Sequence, residues 1–496
     1  MPHRWASKRV AGGAACLLWA LPAIAQTTPN GHPGSAAPSE QANPTPGQTG
    51  AGAASAVGST GLWERANLLG DIGGLRSLLA DHGISLGLSE TSEVLGNVTG
   101  GVHRGAAYDG LTLMSVGVDT EKAFGLPNGV FNVSALQIHG RNLSTDNLLT
   151  IQTASGIEAE RTTRLWELWY QQGFLDGKFD IKIGQQSLDQ EFITSQGSSL
   201  FINTMMGWPA LPSLDLYAGG PAYPLSSLGV RLRGQPSDKL TVLGGVFDDN
   251  PPGGPFADDS QLRGAERSGT RFNTGTGALF IAEVQYALNP PPSAASQAAA
   301  AASGLPGLYK LGVYYDTGSF PDQRFDAVGI SLADPASSGS PLMRQGNFGI
   351  YGVMDQMLWR PDAQGARAVG VFARIMGGPG DRNLLNFALN AGITLKAPFH
   401  GRDNDSVGLG YGFARVSNAA SNLDKDAVLF SGMGVPIRSS ESFIELTYQA
   451  QIAPWWILQP DLQYVFTPGG GVANPLIPGQ RVGNEMVLGL RTSVTF

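Results

Sequence analysis

The sequence predicts an all-β fold: a transmembrane antiparallel β-barrel of about 16 strands, with a short N-terminal helix before the barrel. Three observations carry this reading. First, the stretch 486–496 alternates. Met486, Leu488, Leu490, Val494 and Phe496 share one face, with Thr492 the only hydroxyl among them, while Val487, Gly489, Arg491, Ser493 and Thr495 share the other. Strand side chains alternate with period 2, so this is a ribbon with one apolar and one mostly polar side. Second, two hairpins sort the same way. Folding about Asp176-Gly177, a strong turn signal, pairs Phe174 with Phe179 and Tyr170 with Ile183. One face then collects Trp166, Leu168, Tyr170, Phe174, Phe179, Ile181 and Ile183; the other collects Glu167, Trp169, Gln171, Lys178, Asp180, Lys182 and Gln186. The span 443–466 places Ile444, Leu446, Tyr448, Ile452, Leu458, Leu462, Tyr464 and Phe466 outside, and Glu445, Thr447, Gln449, Gln451, Gln459, Asp461 and Gln463 inside. Third, connections alternate between tight turns (126–129, 176–177, 235–238, 361–365, 453–455) and long loops (141–161, 188–227, 249–277, 318–345, 417–440, 467–483). Membrane barrels have short turns at one end and long loops at the other, whereas a β-sandwich would explain only the alternation.

In order along the chain, residues 1–25 read as a secretory signal peptide. Arg4, Lys8 and Arg9 precede an apolar run from Val10 to Ile24, and Ala23-Ile24-Ala25 supplies the small-x-small cleavage site. The run is too short for a membrane-spanning helix and contains Gly12, Gly13 and Pro22. Residues 26–60 are a Pro/Gly/Ser/Ala-rich linker with Glu40 as its single charge, too polar to offset the entropy of ordering and therefore expected to be disordered. Residues 61–83 form a short periplasmic helical segment, with Leu68, Leu69, Ile72, Leu75, Leu78 and Leu79 spaced for one helix face. Residues 84–496 form the barrel, with strands starting near 84, 111, 130, 162, 178, 228, 239, 278, 308, 346, 368, 384, 404, 441, 456 and 484. Two connections depart from the alternation: the Ala-rich 289–304 insert on the short-turn side, and the brief loop at 377–380 on the long-loop side. The 68 glycines, about twice ordinary usage, suit tight turns and crowded walls.

Composition excludes several function classes. The formal charge is −8, and removing the three leader cations leaves −11, which argues against a nucleic-acid partner. The only cysteine, Cys16, lies in the leader, so no disulfide or thiolate site is expected. There is no His-Glu-x-x-His motif, and no cofactor or metal is expected. One Gly-x-Ser-x-Gly match, Gly83 to Gly87, lies in continuing strand alternation rather than at a strand-turn-helix elbow. A Ser–His pair formed through His139 or His400, or a glycosidase-like pair of Glu167 and Glu445, is the enzyme alternative, and a secreted β-sandwich lectin is a third class.

Several motifs resemble the OprB family of carbohydrate-selective porins: Ala222-Tyr223-Pro224-Leu225 followed by Leu228-Gly229-Val230-Arg231-Leu232-Arg233; Gln459-Pro460-Asp461-Leu462-Gln463-Tyr464 with Pro468-Gly469-Gly470; and Leu69-Gly70-Asp71-Ile72-Gly73-Gly74-Leu75-Arg76 leading into Gly83-Ile84. The resemblance covers roughly residues 62–496. It implies a sixteen-stranded outer-membrane barrel that passes glucose and related sugars by diffusion. The linker and the 289–304 insert are not part of that pattern.

Sugars present many hydroxyls and weakly apolar ring faces, so a sugar pore needs donors, acceptors and aromatic surfaces together. The expected pore-lining residues are Glu167, Trp169, Lys182, Arg231, Arg233, Glu283, Glu445 and Asp461, with the amides Gln171, Gln285 and Gln449. The sparsely charged 188–227 loop holds Phe192, Phe201, Trp208, Tyr217 and Tyr223, and is expected to fold into the lumen as a constriction. The bland alternative is that the inner charges pair across the wall and brace it. Arg231 and Arg233 also suit a general or anion-leaning diffusion pore. Phe496 resembles the terminal aromatic read by the outer-membrane assembly machinery. Expected partners are small sugars, outer-membrane lipid and lipopolysaccharide and that machinery, with the barrel a monomer or homotrimer.

Overall fold

The computed structural model describes residues 61–253, 267–290, 304–362, 365–477 and 479–496. The expected leader and linker, and residues 291–303 of the insert, lie outside the described residues. Sixteen antiparallel strands close into one barrel: β1 (Ile84–Thr99), β2 (Gly105–Asp119), β3 (Gly129–Gly140), β4 (Thr162–Phe174), β5 (Phe179–Gln186), β6 (Ser227–Ser237), β7 (Leu240–Asp248), β8 (Ala278–Leu288), β9 (Gly307–Asp326), β10 (Pro341–Trp359), β11 (Ala368–Gly377), β12 (Leu385–Lys396), β13 (Ser406–Val416), β14 (Ser440–Ala453), β15 (Trp456–Phe466) and β16 (Glu485–Thr495). Each strand pairs with its sequence neighbours, and β16 closes on β1 with Glu90 opposite Val494 and Val94 opposite Leu490. Closure leaves no strand edge with unpaired backbone groups, which is what a bilayer requires.

Among the described residues, five α-helices join the barrel: α1 (Leu75–Asp81), α2 (Thr120–Phe124), α3 (Thr204–Gly207), α4 (Ala210–Asp215) and α5 (Asn418–Ser431). None is long and apolar enough to cross a membrane; the strands do the crossing. In the Asp176-Gly177 hairpin Tyr170 pairs with Ile183 and Phe174 with Phe179, and the turn runs through Leu175, Asp176 and Gly177 at φ 53°, 55° and 79°. In the 443–466 hairpin Glu445 faces Gln463 and Leu446 faces Leu462.

Three departures from the sequence reading have identifiable causes. β2 begins at Gly105 rather than near 111, because pairing with β1 carries the weak Gly-Ala-Ala start and the Asn97 carboxamide accepts from Gly105 N–H at 3.1 Å. β9 and β10 extend through much of the stretch read as the 318–345 loop, and α5 occupies the one read as 417–440. The Ser417 side chain caps α5 by accepting from Ala420 N–H at 3.3 Å, and Arg324 of β9 binds Asp426 of α5 at 2.8 Å. Finally, Trp166 does not join the outward apolar face. A bulge opposite Ser134 and Ala135 makes it the extra residue, and it turns inward to pack edge-on against Tyr223, ring centroids 6.3 Å apart.

The outer wall exposes Leu311, Val313, Ile350, Ile393, Leu409, Leu446, Leu488 and Leu490, with Phe174, Trp359 and Phe399 towards the short-turn end and Tyr315, Phe348 and Phe466 towards the other. The core lies inside the barrel. Phe192, Phe201, Met205, Met206, Trp208, Leu211 and Leu216 from the 187–227 segment pack on inward Leu243, Phe247, Tyr351, Phe372 and Phe443. Gly408 and Gly410 make room for the Phe201 ring, where a Cβ would stand 2.7 and 2.8 Å from ring carbons.

Candidate functional site

A chain segment folded into a barrel has no strand to receive its backbone N–H groups, yet buried N–H groups must be paired. Wall carboxylates on four strands supply the acceptors. Glu167 of β4 accepts from Ser187 N–H at 3.1 Å, and Glu283 of β8 from Ile193 N–H at 2.8 Å and the Tyr351 hydroxyl at 2.9 Å. Asp355 of β10 accepts from the Ser195 hydroxyl at 2.7 Å and from Gln196 and Gly197 N–H at 3.1 and 2.9 Å. Glu445 of β14 accepts from Ile202 and Asn203 N–H at 2.5 and 3.2 Å. The carbonyls meet one cation. Arg374 of β11, fully buried, donates to Gly207 and Met206 at 2.6 Å, Met205 at 2.7 Å and Ile193 at 3.3 Å. A second infolded stretch, 149–160, is held by Glu441, which accepts from Ile151, Gln152 and Gly469 N–H at 2.6–2.8 Å.

Beside these anchors lies an ionic cluster on β4 to β6. Arg231 pairs with Asp180 and, at 2.6 Å, with Glu191, and donates to Gln171 at 3.1 Å. Lys182 reaches Glu191 at 2.8 Å and sits 4.3 Å from the Trp169 ring centroid. Arg233 reaches Asp180 at 3.1 Å. Burial pushes the Glu191 carboxyl up, but Lys182 and Arg231 outweigh it and hold it down at about 2. Two residues earlier, burial pushes Asp189 up to about 6, although the Ser187 hydroxyl and Tyr223 N–H favour its charged form.

The expected pore-lining residues therefore divide. All eight point inward, but Glu167, Lys182, Arg231, Glu283, Glu445 and Asp461 are buried, because the infolded segment and its ion pairs cover them. Arg231 and Arg233 share a face, yet their side chains are 4% and 29% exposed, and Glu191 is 24% exposed. Trp169 is half-buried. Trp208, Tyr217 and Tyr223 do not face the opening either. Trp208 donates to Gly219 carbonyl at 2.9 Å, Tyr217 donates to Ser319 carbonyl at 2.9 Å and stacks on Phe320, and Tyr223 donates to Ile157 carbonyl at 3.1 Å; all three are buried and pin the segment. Phe496 is half-buried at the β1–β16 seam, its N–H on Leu88 carbonyl at 2.9 Å and its carbonyl accepting from Arg76. The sequence reading missed Arg374, Asp355, Glu441 and Glu191. Alternation alone would have turned Arg374 inward with Phe372 and Met376.

Among the described residues, the Gly83–Gly87 motif, the Glu167–Glu445 pair and His139 have no catalytic setting. Gly83 precedes β1 and Ser85 and Gly87 lie in its regular ladder, Glu167 and Glu445 each bind infolded backbone, and His139 lies on the outer wall. The sequence model for the carbohydrate-selective porin, OprB family, matches residues 103–496, more than three quarters of the chain. The chain belongs to the OprB family of carbohydrate-selective porins. Porin B of Pseudomonas aeruginosa is 26% identical over 444 residues, covering 84% of this chain and 90% of that one. A protein described as putative porin QuiX, from Acinetobacter baylyi, is 24% identical over 82% of this chain and 90% of its own. The solved structure of Pseudomonas putida OprB at high pH shares the fold, with a TM-score of 0.75 at 24% identity, over 88% of this chain and all of that one. This OprB-family protein is thus an outer-membrane porin of a Gram-negative bacterium, a channel for sugar diffusion rather than an enzyme.

Proposed function

We propose that the porin favours monosaccharides such as glucose, with anions of similar size as a second class, and that solutes pass the β4–β6 cluster. The observation that carries this is the half-exposed set Trp169, Glu191 and Arg233 beside the infolded segment. A ring face for the sugar's C–H groups, a planar donor and a carboxylate acceptor meet the mixed demands of a hexose. Gln190 and Gln285, both half-buried, add neutral amides. A channel must release its solute as well as admit it, which calls for several separate weak contacts of this kind. Buried anchors such as Glu283 and Glu445 act on the solute through the segment they hold, and Asp461, which accepts from Gln463, braces the wall beside Glu445. The leaning towards anions rests on Arg233, the most exposed cation of the cluster, whose guanidinium is only partly engaged by Asp180. Residues 1–25 act as the export leader, 26–60 as a linker, and Phe496 as part of the assembly signal.

Liposome swelling with glucose, a disaccharide, an amino acid and gluconate tests the reading. Glucose and gluconate should enter faster than the disaccharide, and Trp169→Ala should slow glucose more than the amino acid. Equal slowing of all solutes would refute a ring-stacking role for Trp169.

A further inference from the structure

At the short-turn end the outer wall carries a belt of aromatic rings, and the chain that precedes β1 is tied to it. Trp456 of β15 lies opposite Val494, whose partner on β1 is Glu90. Val94, four residues further along β1, is exposed on the outer wall, so Trp456 faces out as well. The Trp456 ring stacks on Trp455 at 5.9 Å, and Trp455 stacks on Trp63 at 5.9 Å. The Trp455 indole N–H donates to Leu62 carbonyl at 2.8 Å. Leu68 N–H donates to Thr495 carbonyl at 2.8 Å, and Arg76 donates to Leu86 carbonyl at 2.9 Å and to Phe496 carbonyl. Residues 62–76 are therefore fixed at the level of the belt, on the seam where β15, β16 and β1 meet. They lie on its outer side. Ser85 and Gly87 share the parity of lumen-facing Glu93 and are exposed, whereas Ile84, Leu86 and Leu88 on the outer side are half-buried.

The segment's own apolar side chains are left uncovered by protein. Leu62, Trp63, Leu69, Ile72, Leu75 and Leu78 are each more than 40% exposed. Within α1, helical spacing puts Leu75, Leu78 and Leu79 on one face and Ser77 and Asp81 on another. Asp71 closes the polar side, accepting from the Ser77 N–H and hydroxyl at 2.8 and 2.7 Å. Large apolar side chains beside a tryptophan belt match the boundary between lipid headgroups and acyl chains. Anionic headgroups are not what selects that boundary here. Glu64, Asp71 and Asp81 outnumber Arg65 and Arg76, and Arg76 is committed to strand carbonyls. Short turns mark the periplasmic end of such a barrel. We propose that residues 62–81 are an interfacial anchor lying in the periplasmic leaflet of the outer membrane, continuous with the lipid-facing wall. The leucines face the acyl chains, and Ser77 and Asp81 face water. Only His82 and Gly83 separate α1 from β1, so the anchor holds the start of the barrel at the depth of the belt.

Spin labels on single cysteines test the proposal, using the full chain in a Cys16→Ser background placed in phosphatidylcholine nanodiscs. Oxygen concentrates among acyl chains, and a nickel chelate stays in water. Labels at Leu69→Cys and Leu78→Cys should show an oxygen-to-chelate collision ratio severalfold above that at Asp81→Cys, approaching the ratio at Leu311→Cys on the outer wall. Adding anionic phosphatidylglycerol should leave these ratios unchanged. Ile72→Gln combined with Leu75→Gln should move the Leu78 label towards the chelate. Heat-modifiable barrel migration and glucose swelling rates should persist in that variant, which separates the anchor from the sugar path. Chelate access at Leu69 and Leu78 equal to that at Asp81 would show the segment standing in water, and would overturn the proposal. Protection from both reagents would mean that protein covers the face, and a requirement for phosphatidylglycerol would mean that charge holds it; either would overturn it equally.

Discussion

Replacing Arg374 by methionine keeps a stem of similar length and removes every donor of the guanidinium. Three infolded carbonyls, Met205, Met206 and Gly207, would then lose partners that now stand 2.6–2.7 Å away. A buried acceptor left unpaired costs roughly 1–3 kcal/mol, so the three together bound the effect at roughly 3–9 kcal/mol. Water from the lumen can re-solvate part of this, which places the expected loosening near the lower bound, about 3 kcal/mol. That is roughly a hundredfold rise in the population of the released segment. The sixteen-strand ladder is untouched, so the barrel should still assemble and migrate as a heat-modifiable species. Hydrogen exchange at residues 201–207 should accelerate by about that factor, and single-channel conductance should become larger and noisier. Arg374→Lys should fall between, because one ammonium reaches fewer carbonyls than a planar fork. Exchange and conductance unchanged in Arg374→Met would show that apolar packing alone holds the segment.

The two neighbouring arginines should behave differently. Arg233→Gln should lower gluconate flux with little change in stability, whereas Arg231→Gln leaves Asp180 and Glu191 short of a buried partner and should cost roughly 3–5 kcal/mol of segment stability; paired swelling and proteolysis assays separate the outcomes. The infolded state should loosen as pH rises. Asp189, raised to about 6 from 3.8, binds its proton more readily in place than when released, so its contribution is fully present below about pH 4 and is lost as pH rises through about 6. Glu158, also raised by burial, acts in the same direction, while Glu191, held at about 2, adds stability that is lost only in stronger acid. Conductance noise should therefore increase from pH 4.5 to 7.5, with Asp189 alone contributing about 2 kcal/mol, and Asp189→Asn should remove that share of the dependence. Phe496→Ala should reduce outer-membrane yield without altering the conductance of the protein that inserts; normal yield would remove the assembly role.

The fold was legible because its determinants are local and periodic. Alternation in 486–496 and 443–466, and the Asp176-Gly177 turn, each fix faces and register over a few residues, and the observed pairings follow them. What local pattern could not supply were features that depend on a neighbour. The inward turn of Trp166 comes from a bulge against β3, and the early start of β2 from the strand beside it. The long β9–β10 ribbon was hidden by Gly, Pro and Ser, residues that read as loop until two such strands pair.

The site was legible in direction but not in depth. Alternation states which way a side chain points; it does not state what stands above it. Arg231 and Arg233 are two residues apart on one strand, and the difference between 4% and 29% exposure is made by Glu191, forty positions earlier in the chain. The same holds for Glu283 and Glu445, whose carboxylates look like lumen chemistry in sequence and become acceptors for Ile193 and Ile202 once the segment folds in. β2 shows the limit most clearly. In Leu111-Thr112-Leu113 the usual rule assigns the leucines to lipid and the threonine to the lumen. Ile157 and Tyr223 reverse it by making the lumen side the drier one. An apolar segment laid inside a barrel thus does two things at once. It narrows the path, and it lets the stretch of β2 and β3 behind it turn Leu111, Leu113, Leu136 and Ile138 inward against Ile157 and Tyr223.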